Sequence, residues 1–395
     1  MTLARTLTGI VAAILLALSG MSGDLAARPK SPGQATAPAP KAMLKAGTLL
    51  KYDRIKLPAL YRASAWRITY VTRDYRMRPT LSTGIVVLPD KAPRVPMERR
   101  FVAWAHPTTG IARKCAPSLR ASPIKAIAGL NDLVAAGVVV AATDYPGLGT
   151  DGPMGYLVGR GQAFATIDSV RAAKQIPGVG GSNDYALWGY SQGGHAALFA
   201  AELSRGYAPE LKLKGVAAIA PPTDLPALLR ANVTTVAGRI LASFTLSSWN
   251  VKYGASLRTL VDTRGAAVVS EVGRSCVDDL GGKLDALAAQ KGLEKQFLKA
   301  DPARLKPWSD LLVQNSLYGM GSRVPALVMQ GDVDDIVRPQ VTAQFVRSSC
   351  RSGINMEYVV LKGKGHGSSL GAGSKQAVAW LSARLRGVPA RNNCR

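Results

Sequence analysis

The chain has 395 residues, 47% of them apolar, and carries 50 Lys and Arg against 25 Asp and Glu, a formal charge of +25. That length suits one α/β domain with a large insertion, the apolar fraction is at the ordinary globular level, and no mid-chain apolar span is long enough to cross a bilayer. The basic residues are scattered, with no dense arm, no zinc-finger spacing and no aromatic-basic interleaving, so nucleic acid is not an expected partner; an anionic cell surface, a lipid interface or acidic substrates fit the charge better.

In chain order, Arg5 precedes a short apolar run, Gly9–Leu18, and small residues follow to about Ala27. This is the pattern of an export signal over 1–27. The run is short for a membrane anchor, and no Cys follows it that lipid could modify. Residues 28–45, rich in Pro, Ala and Lys, read as a flexible leader. Apolar runs then predict strands at Trp66–Thr72, Thr83–Leu88, Phe101–His106, Val138–Thr143, Tyr185–Tyr190, Val216–Ala220, Ala326–Gln330 and Met356–Leu361. Helical patterns fall at Pro123–Ala136, Gly161–Gln175, Gly194–Arg205, Pro339–Ser349 and Ser374–Leu385. A β-rich start followed by β–α alternation predicts a mostly parallel sheet flanked by helices, and the near-continuous apolar strands predict burial of both its faces. The alternation breaks between about Asp224 and Arg323, where helical patterns dominate (Leu225–Leu229, Val236–Leu246 and a polar run from Gly265 to Leu298). An excursion of that length is expected to be a subdomain rather than a loop. The chain therefore divides into a first core part at 46–224, a helical cap at 225–322 and a second core part at 323–395.

The four cysteines, Cys115, Cys276, Cys350 and Cys394, point to two disulfides in an exported chain. Three connectivities are open; Cys115–Cys276 with Cys350–Cys394 is the pairing taken as the expectation, the second stapling the C-terminal tail to the last helical region. With no C-x-x-C pair and only three histidines, a zinc site is not expected.

The chemistry centres on Gly189-Tyr-Ser191-Gln-Gly193, a G-x-S-x-G between a buried strand pattern and an Ala-rich helical one. The pentapeptide alone is weak, but that context places Ser191 on a tight strand-to-helix turn with its hydroxyl exposed. A serine nucleophile needs an imidazole to take its proton and a carboxylate to orient the imidazole. In the order Ser, acid, His, only His366 qualifies; His106 precedes Ser191, and His195 lies along the following helix, where packing or a local hydrogen bond explains it. His366 itself falls in a Gly-rich loop, Gly363–Ser369. The acid comes from Gly331-Asp-Val-Asp-Asp335, where a G-x-x-D spacing selects Asp334; Asp332 and Asp335 suit turn N–H groups or solvent. Asp224 is better read as a helix N-cap. Oxyanion donors are expected from the backbone N–H of Gln192 and from the loop His106-Pro-Thr-Thr-Gly110, through Thr108 or Thr109, whose hydroxyl adds a further hydrogen bond.

Together, His106–Gly110 with Cys115–Ser118, Ala142–Gly149, Asp168–Ala173, Gly189–His195, Ala220–Asp224, Gly331–Val337 and Gly365–Gly367 resemble the α/β-hydrolase superfamily, specifically the secretory lipase family of the fungal lipase A type and its bacterial relatives. The resemblance implies an α/β-hydrolase fold, a Ser191–Asp334–His366 triad under a helical cap, no cofactor or metal, and hydrolysis of carboxylic esters such as acylglycerols by an exported enzyme, here taken as a monomer. It does not account for the basic charge, and fungal members carry an acidic residue where this chain has Thr in the oxyanion loop. The rival expectations are an exported serine peptidase of the same fold and a non-enzymatic surface-binding protein.

Overall fold

The computed structural model describes residues 44–278, 280–293 and 297–394. The expected export signal and nearly all of the leader lie outside these residues. Among the described residues one sheet contains nine strands: β1 Leu49–Ile55, β2 Ala63–Arg73, β3 Pro79–Pro89, β4 Phe101–Ala105, β5 Val139–Thr143, β6 Asp184–Tyr190, β7 Lys212–Ile219, β8 Ala326–Gly331 and β9 Met356–Leu361. Their order is β1-β2-β3-β5-β4-β6-β7-β8-β9. The pairs from β1 to β5 are antiparallel and the rest are parallel. The β2–β3 turn is short enough for a hairpin and is organised by Asp74, whose Oδ1 accepts from the N–H groups of Arg76 and Arg78. From β4 onward each parallel pair needs a long crossover, and helices supply most of them.

All eight expected strands are present, with ends moved by up to four residues. The ninth, β1, was not expected. Its sequence Leu-Leu-Lys-Tyr-Asp-Arg-Ile shows no alternation because its five central residues are exposed on the sheet edge.

The helices are α1 Leu130–Ala135, α2 Gly159–Ala173, α3 Gln192–Tyr207, α4 Leu225–Asn232, α5 Val236–Tyr253, α6 Thr263–Val272, α7 Leu280–Ala289, α8 Trp308–Gln314, α9 Pro339–Arg351 and α10 His366–Leu385. Burial on both faces of the sheet follows the period of two. Phe101 and Ala103 of β4, Leu187 of β6 and Val328 of β8 pack into the layer that holds α2, α3 and α9. Their neighbours Val102, Trp104, Trp188 and Met329 pack into the layer of α1 and α10. The helix expected at Pro123–Ala136 is broken: Gly129 at φ 68° separates a 3-10 turn, Pro123–Ala126, from α1. In the other direction, α10 begins at His366 rather than Ser374, despite three glycines in its first half. Gly373 is there for packing, since a Cβ would stand 2.7 Å from Ile219 of β7.

Between β7 and β8 the described chain is helical, α4 to α8, and Phe244, Trp249, Val269 and Trp308 pack into a core shared with Tyr145, Leu148 and Tyr156 of the preceding part. An isolated bridge pairs Cys276 of this insertion with Gly110. Disulfides join Cys115 to Cys276 and Cys350 to Cys394. Cys350 lies in α9, so the second ties the tail to α9 and not to the last helix.

Candidate active site

Ser191 follows β6 and caps α3 with φ 54° and ψ −123°, a backbone conformation that is rare for a residue bearing a Cβ. The surroundings hold it there. Its N–H donates to the Ile219 carbonyl at 2.9 Å. A Cβ on Gly189 would lie 2.0 Å from the Gly193 carbonyl oxygen, and one on Gly193 would lie 1.8 Å from that of Ala105. Both glycines of the pentapeptide are therefore steric requirements of the turn. The Ser191 hydroxyl makes no cap hydrogen bond to α3, and its Oγ stands 2.9 Å from His366 Nε2.

His366 Nδ1 is 2.8 Å from Asp334 Oδ2. Asp334 lies just beyond β8 and is buried. Its Oδ1 accepts from the N–H groups of Ile336 and Val337 at 2.9 and 2.8 Å, and Oδ2 also accepts from Gln330 Nε2 at 2.9 Å. Burial alone would raise its pKa, but His366 and the two backbone donors outweigh it and hold the carboxyl below its ordinary value. An ionised Asp334 takes the Nδ1 proton of His366 as a hydrogen bond, which leaves Nε2 as an acceptor facing Ser191. The Tyr190 hydroxyl donates to the His366 carbonyl at 2.8 Å and fixes that residue from below. His366 is the first residue of α10, not a loop residue.

The other acids and histidines are held elsewhere. Asp332 accepts from the Gly363 N–H at 2.6 Å, Asp335 is exposed, and Asp224 caps α4 by accepting from the Ala227 N–H at 3.0 Å. His195 is fully buried, with Nε2 donating to the Asn315 carbonyl at 2.8 Å; burial pushes its pKa down to about 4. His106 is buried between the carbonyls of Pro107 and Asp144 and against the Tyr145 ring, and burial lowers its pKa as well.

Gln192 opens α3, so its N–H has no acceptor within the helix. The 106–110 loop follows β4 and, with Ser191 and His366, lines a recess of about 670 Å³ bordered largely by polar residues, Lys125 and Lys283 among them. Thr108 and Thr109 differ in this loop. The Thr109 carbonyl accepts from the Val277 N–H at 2.9 Å, and its buried hydroxyl has no protein partner. Thr108 Oγ1 is 2.9 Å from the Tyr156 hydroxyl. No sequence pattern marked Tyr156, which sits in an irregular stretch between β5 and α2. A second, narrower recess of about 80 Å³ also reaches Ser191 and is apolar, lined by Leu225, Leu228, Leu229, Leu241 and Leu312 together with Tyr156 and Gln192. Ser191, Asp334, His366 and the 106–110 loop all lie beyond the carboxyl ends of parallel strands, the edge where open α/β sheets place their ligands.

A family model described as secretory lipase matches residues 126–393. Lipase A of Arthroderma benhamiae is 26% identical over 378 residues, which is 88% of this chain and 78% of that protein. A secreted triacylglycerol lipase of Malassezia globosa is 26% identical over 381 residues, 88% of this chain and 79% of its own. Among solved structures, Candida antarctica lipase A in its closed state superimposes with a TM-score of 0.76 at 17% identity, covering 90% of this chain and 86% of that one. The rice cell wall degrading esterase LipA from Xanthomonas oryzae gives 0.71 at 21% identity, with 86% and 97% covered. These structural likenesses show the fold.

Proposed function

Since the chain belongs to the secretory lipase family and is a carboxylic ester hydrolase, we propose that Ser191, His366 and Asp334 carry out two-step acyl transfer on lipid esters. His366 Nε2 takes the Ser191 proton as Oγ attacks the ester carbonyl. The Gln192 N–H and a donor of the 106–110 loop hold the oxyanion of the tetrahedral intermediate. His366, now cationic and paired with Asp334, protonates the departing alcohol. Water repeats the sequence on the acyl-enzyme and releases the acid. The observation that carries this reading is the unbroken chain from Ser191 Oγ to His366 to Asp334, at 2.9 and 2.8 Å, beside an apolar recess.

The acyl chain occupies that recess, and the helical insertion acts as a cap whose leucines line the acyl site. Acylglycerols or similar lipid esters are the substrate class, and export through the N-terminal segment follows the family's secretory character. The test is a panel of nitrophenyl esters of increasing chain length, with peptide amides alongside, assayed on the unmodified enzyme, on Ser191→Ala and on Asp334→Asn. We expect losses of about 10³-fold or more in kcat for both variants. Asp332→Asn and Asp335→Asn stay close to the parent. Esterase activity surviving Ser191→Ala, or amide turnover far above ester turnover, overturns the proposal.

A further inference from the structure

The hydroxyl pair of Tyr156 and Thr108 spans the two recesses that meet at Ser191. Tyr156 lines the apolar one and Thr108 the larger one, and Ser191 lines both. Their oxygens are 2.9 Å apart. Tyr156 is almost fully buried and is held from three directions by helix α5 of the insertion. Its N–H donates to Ser248 Oγ at 2.9 Å, its carbonyl accepts from Trp249 Nε1 at 2.8 Å, and its ring packs edge-on against Phe244. Ser248 in turn donates to the Met154 carbonyl at 2.7 Å. The 106–110 loop is also joined to the insertion by the Val277 N–H on the Thr109 carbonyl and by the bridge of Gly110 with Cys276, and the disulfide from Cys115 to Cys276 reinforces the junction just after it. The insertion thus meets this loop at two neighbouring residues, directly at Thr109 and through Tyr156 at Thr108.

We propose that Tyr156 is a positioning residue of the reaction: its hydroxyl holds the Thr108 side chain so that Thr108 Oγ–H points at the oxyanion. The inference rests on the acyl-transfer reading above. The hydrogens balance. Two hydroxyls carry two hydrogens, and one of them must lie between the oxygens. A phenol is the better donor of the two, so Tyr156 donates to Thr108 Oγ1 and the Thr108 hydrogen is released toward the site. Burial pushes the Tyr156 pKa up to about 12, so the phenol keeps its proton near neutral pH. When the ester carbonyl becomes tetrahedral, the Thr108 hydrogen meets the growing negative charge, and no bond other than those of the acyl transfer forms or breaks. A donor aimed at charge that develops only in the transition state raises kcat without tightening ground-state binding. Through Tyr156, the position of α5 becomes part of the oxyanion site, so the insertion contributes to the chemistry as well as covering the acyl chain.

The test is a double-mutant cycle on the full-length enzyme with nitrophenyl butyrate, using Tyr156→Phe, Thr108→Val and the pair. Tyr156→Phe removes one oxygen and leaves the ring packing intact. Its kcat should fall about tenfold with KM within about twofold, and Thr108→Val should fall about tenfold to a hundredfold. The pair should be no slower than Thr108→Val alone, because Tyr156 acts only through Thr108. Affinity for an alkylboronic acid, which forms a tetrahedral adduct on the serine, should fall in step with kcat/KM. An unchanged kcat in Tyr156→Phe, effects that multiply in the pair, or a change confined to KM would each overturn the inference. Ser191→Ala keeps the two levels distinguishable. If it abolishes activity while Tyr156→Phe is silent, only the positioning role fails; if it remains active, the acyl-transfer reading fails with it.

Discussion

Among the three histidines, burial and partners separate their roles. His366 bridges Ser191 and Asp334, whereas His195 is closed into the interior with one ring nitrogen on the Asn315 carbonyl and the other without a partner. That burial has a measurable consequence for stability. His195 has a folded pKa of about 4 against an ordinary 6.5, so the native state favours the neutral ring. As pH falls below 6.5 the unfolded chain takes up the proton first. The stability this residue contributes is therefore complete above about pH 6.5 and is lost as pH falls toward 4, by at most about 3 kcal/mol. Urea unfolding of the parent and of His195→Gln at pH 7 and pH 4.5 checks it: the parent should lose more stability over that interval than the variant. Equal losses would mean that His195 titrates normally. At this scale the sequence was informative because chain order excluded two histidines and turn spacing favoured one acid of three. It left Thr108 and Thr109 equivalent, since both are small hydroxyl residues of one loop; only their partners, Tyr156 for one and Val277 for the other, tell them apart.

The strand–turn–helix unit of β6 and α3 shows how local pattern and tertiary contact combine. Gly193 is required because Ala105 of β4 approaches it, while Gly206, on the same helix, faces open space. Gly193→Ala should therefore destabilise by more than about 2 kcal/mol, with Gly206→Ala neutral or slightly stabilising as a better helix former. Denaturant midpoints of the two variants decide it. Similar midpoints would show that the elbow is not clamped by β4. The buried strands β4, β5 and β8 were legible because each is a short apolar run. The edge strand β1 was not, because an exposed strand needs no apolar pattern and is defined only by its hydrogen bonds to β2. The start of α10 was hidden by glycines that disfavour a helix locally but fit against the sheet.

Across the whole molecule, the disulfide from Cys115 to Cys276 links residues 161 positions apart and binds the helical insertion to the first half of the sheet, while that from Cys350 to Cys394 spans 44. In the chain-entropy account the longer loop constrains the unfolded state more, by about 1 kcal/mol. Replacing Cys115 and Cys276 with Ser should cost about 2–5 kcal/mol, and the shorter pair about 1 kcal/mol less. Thermal unfolding of the two double variants measures this, and a larger cost for the shorter loop would contradict it. Among the described residues no Lys or Arg takes part in the Ser191–His366–Asp334 chain.

By itself the sequence determined the layered α/β architecture and marked the strand-to-helix turn that carries Ser191. These follow from burial period and turn chemistry, which are written within a few neighbouring residues. Only the tertiary structure decided that His366 starts a helix, that the leucines of α4 and α5 line an apolar recess at Ser191, and that Tyr156 reaches Thr108 across 48 positions. Those depend on which surfaces meet once the chain has packed, and no local pattern records that.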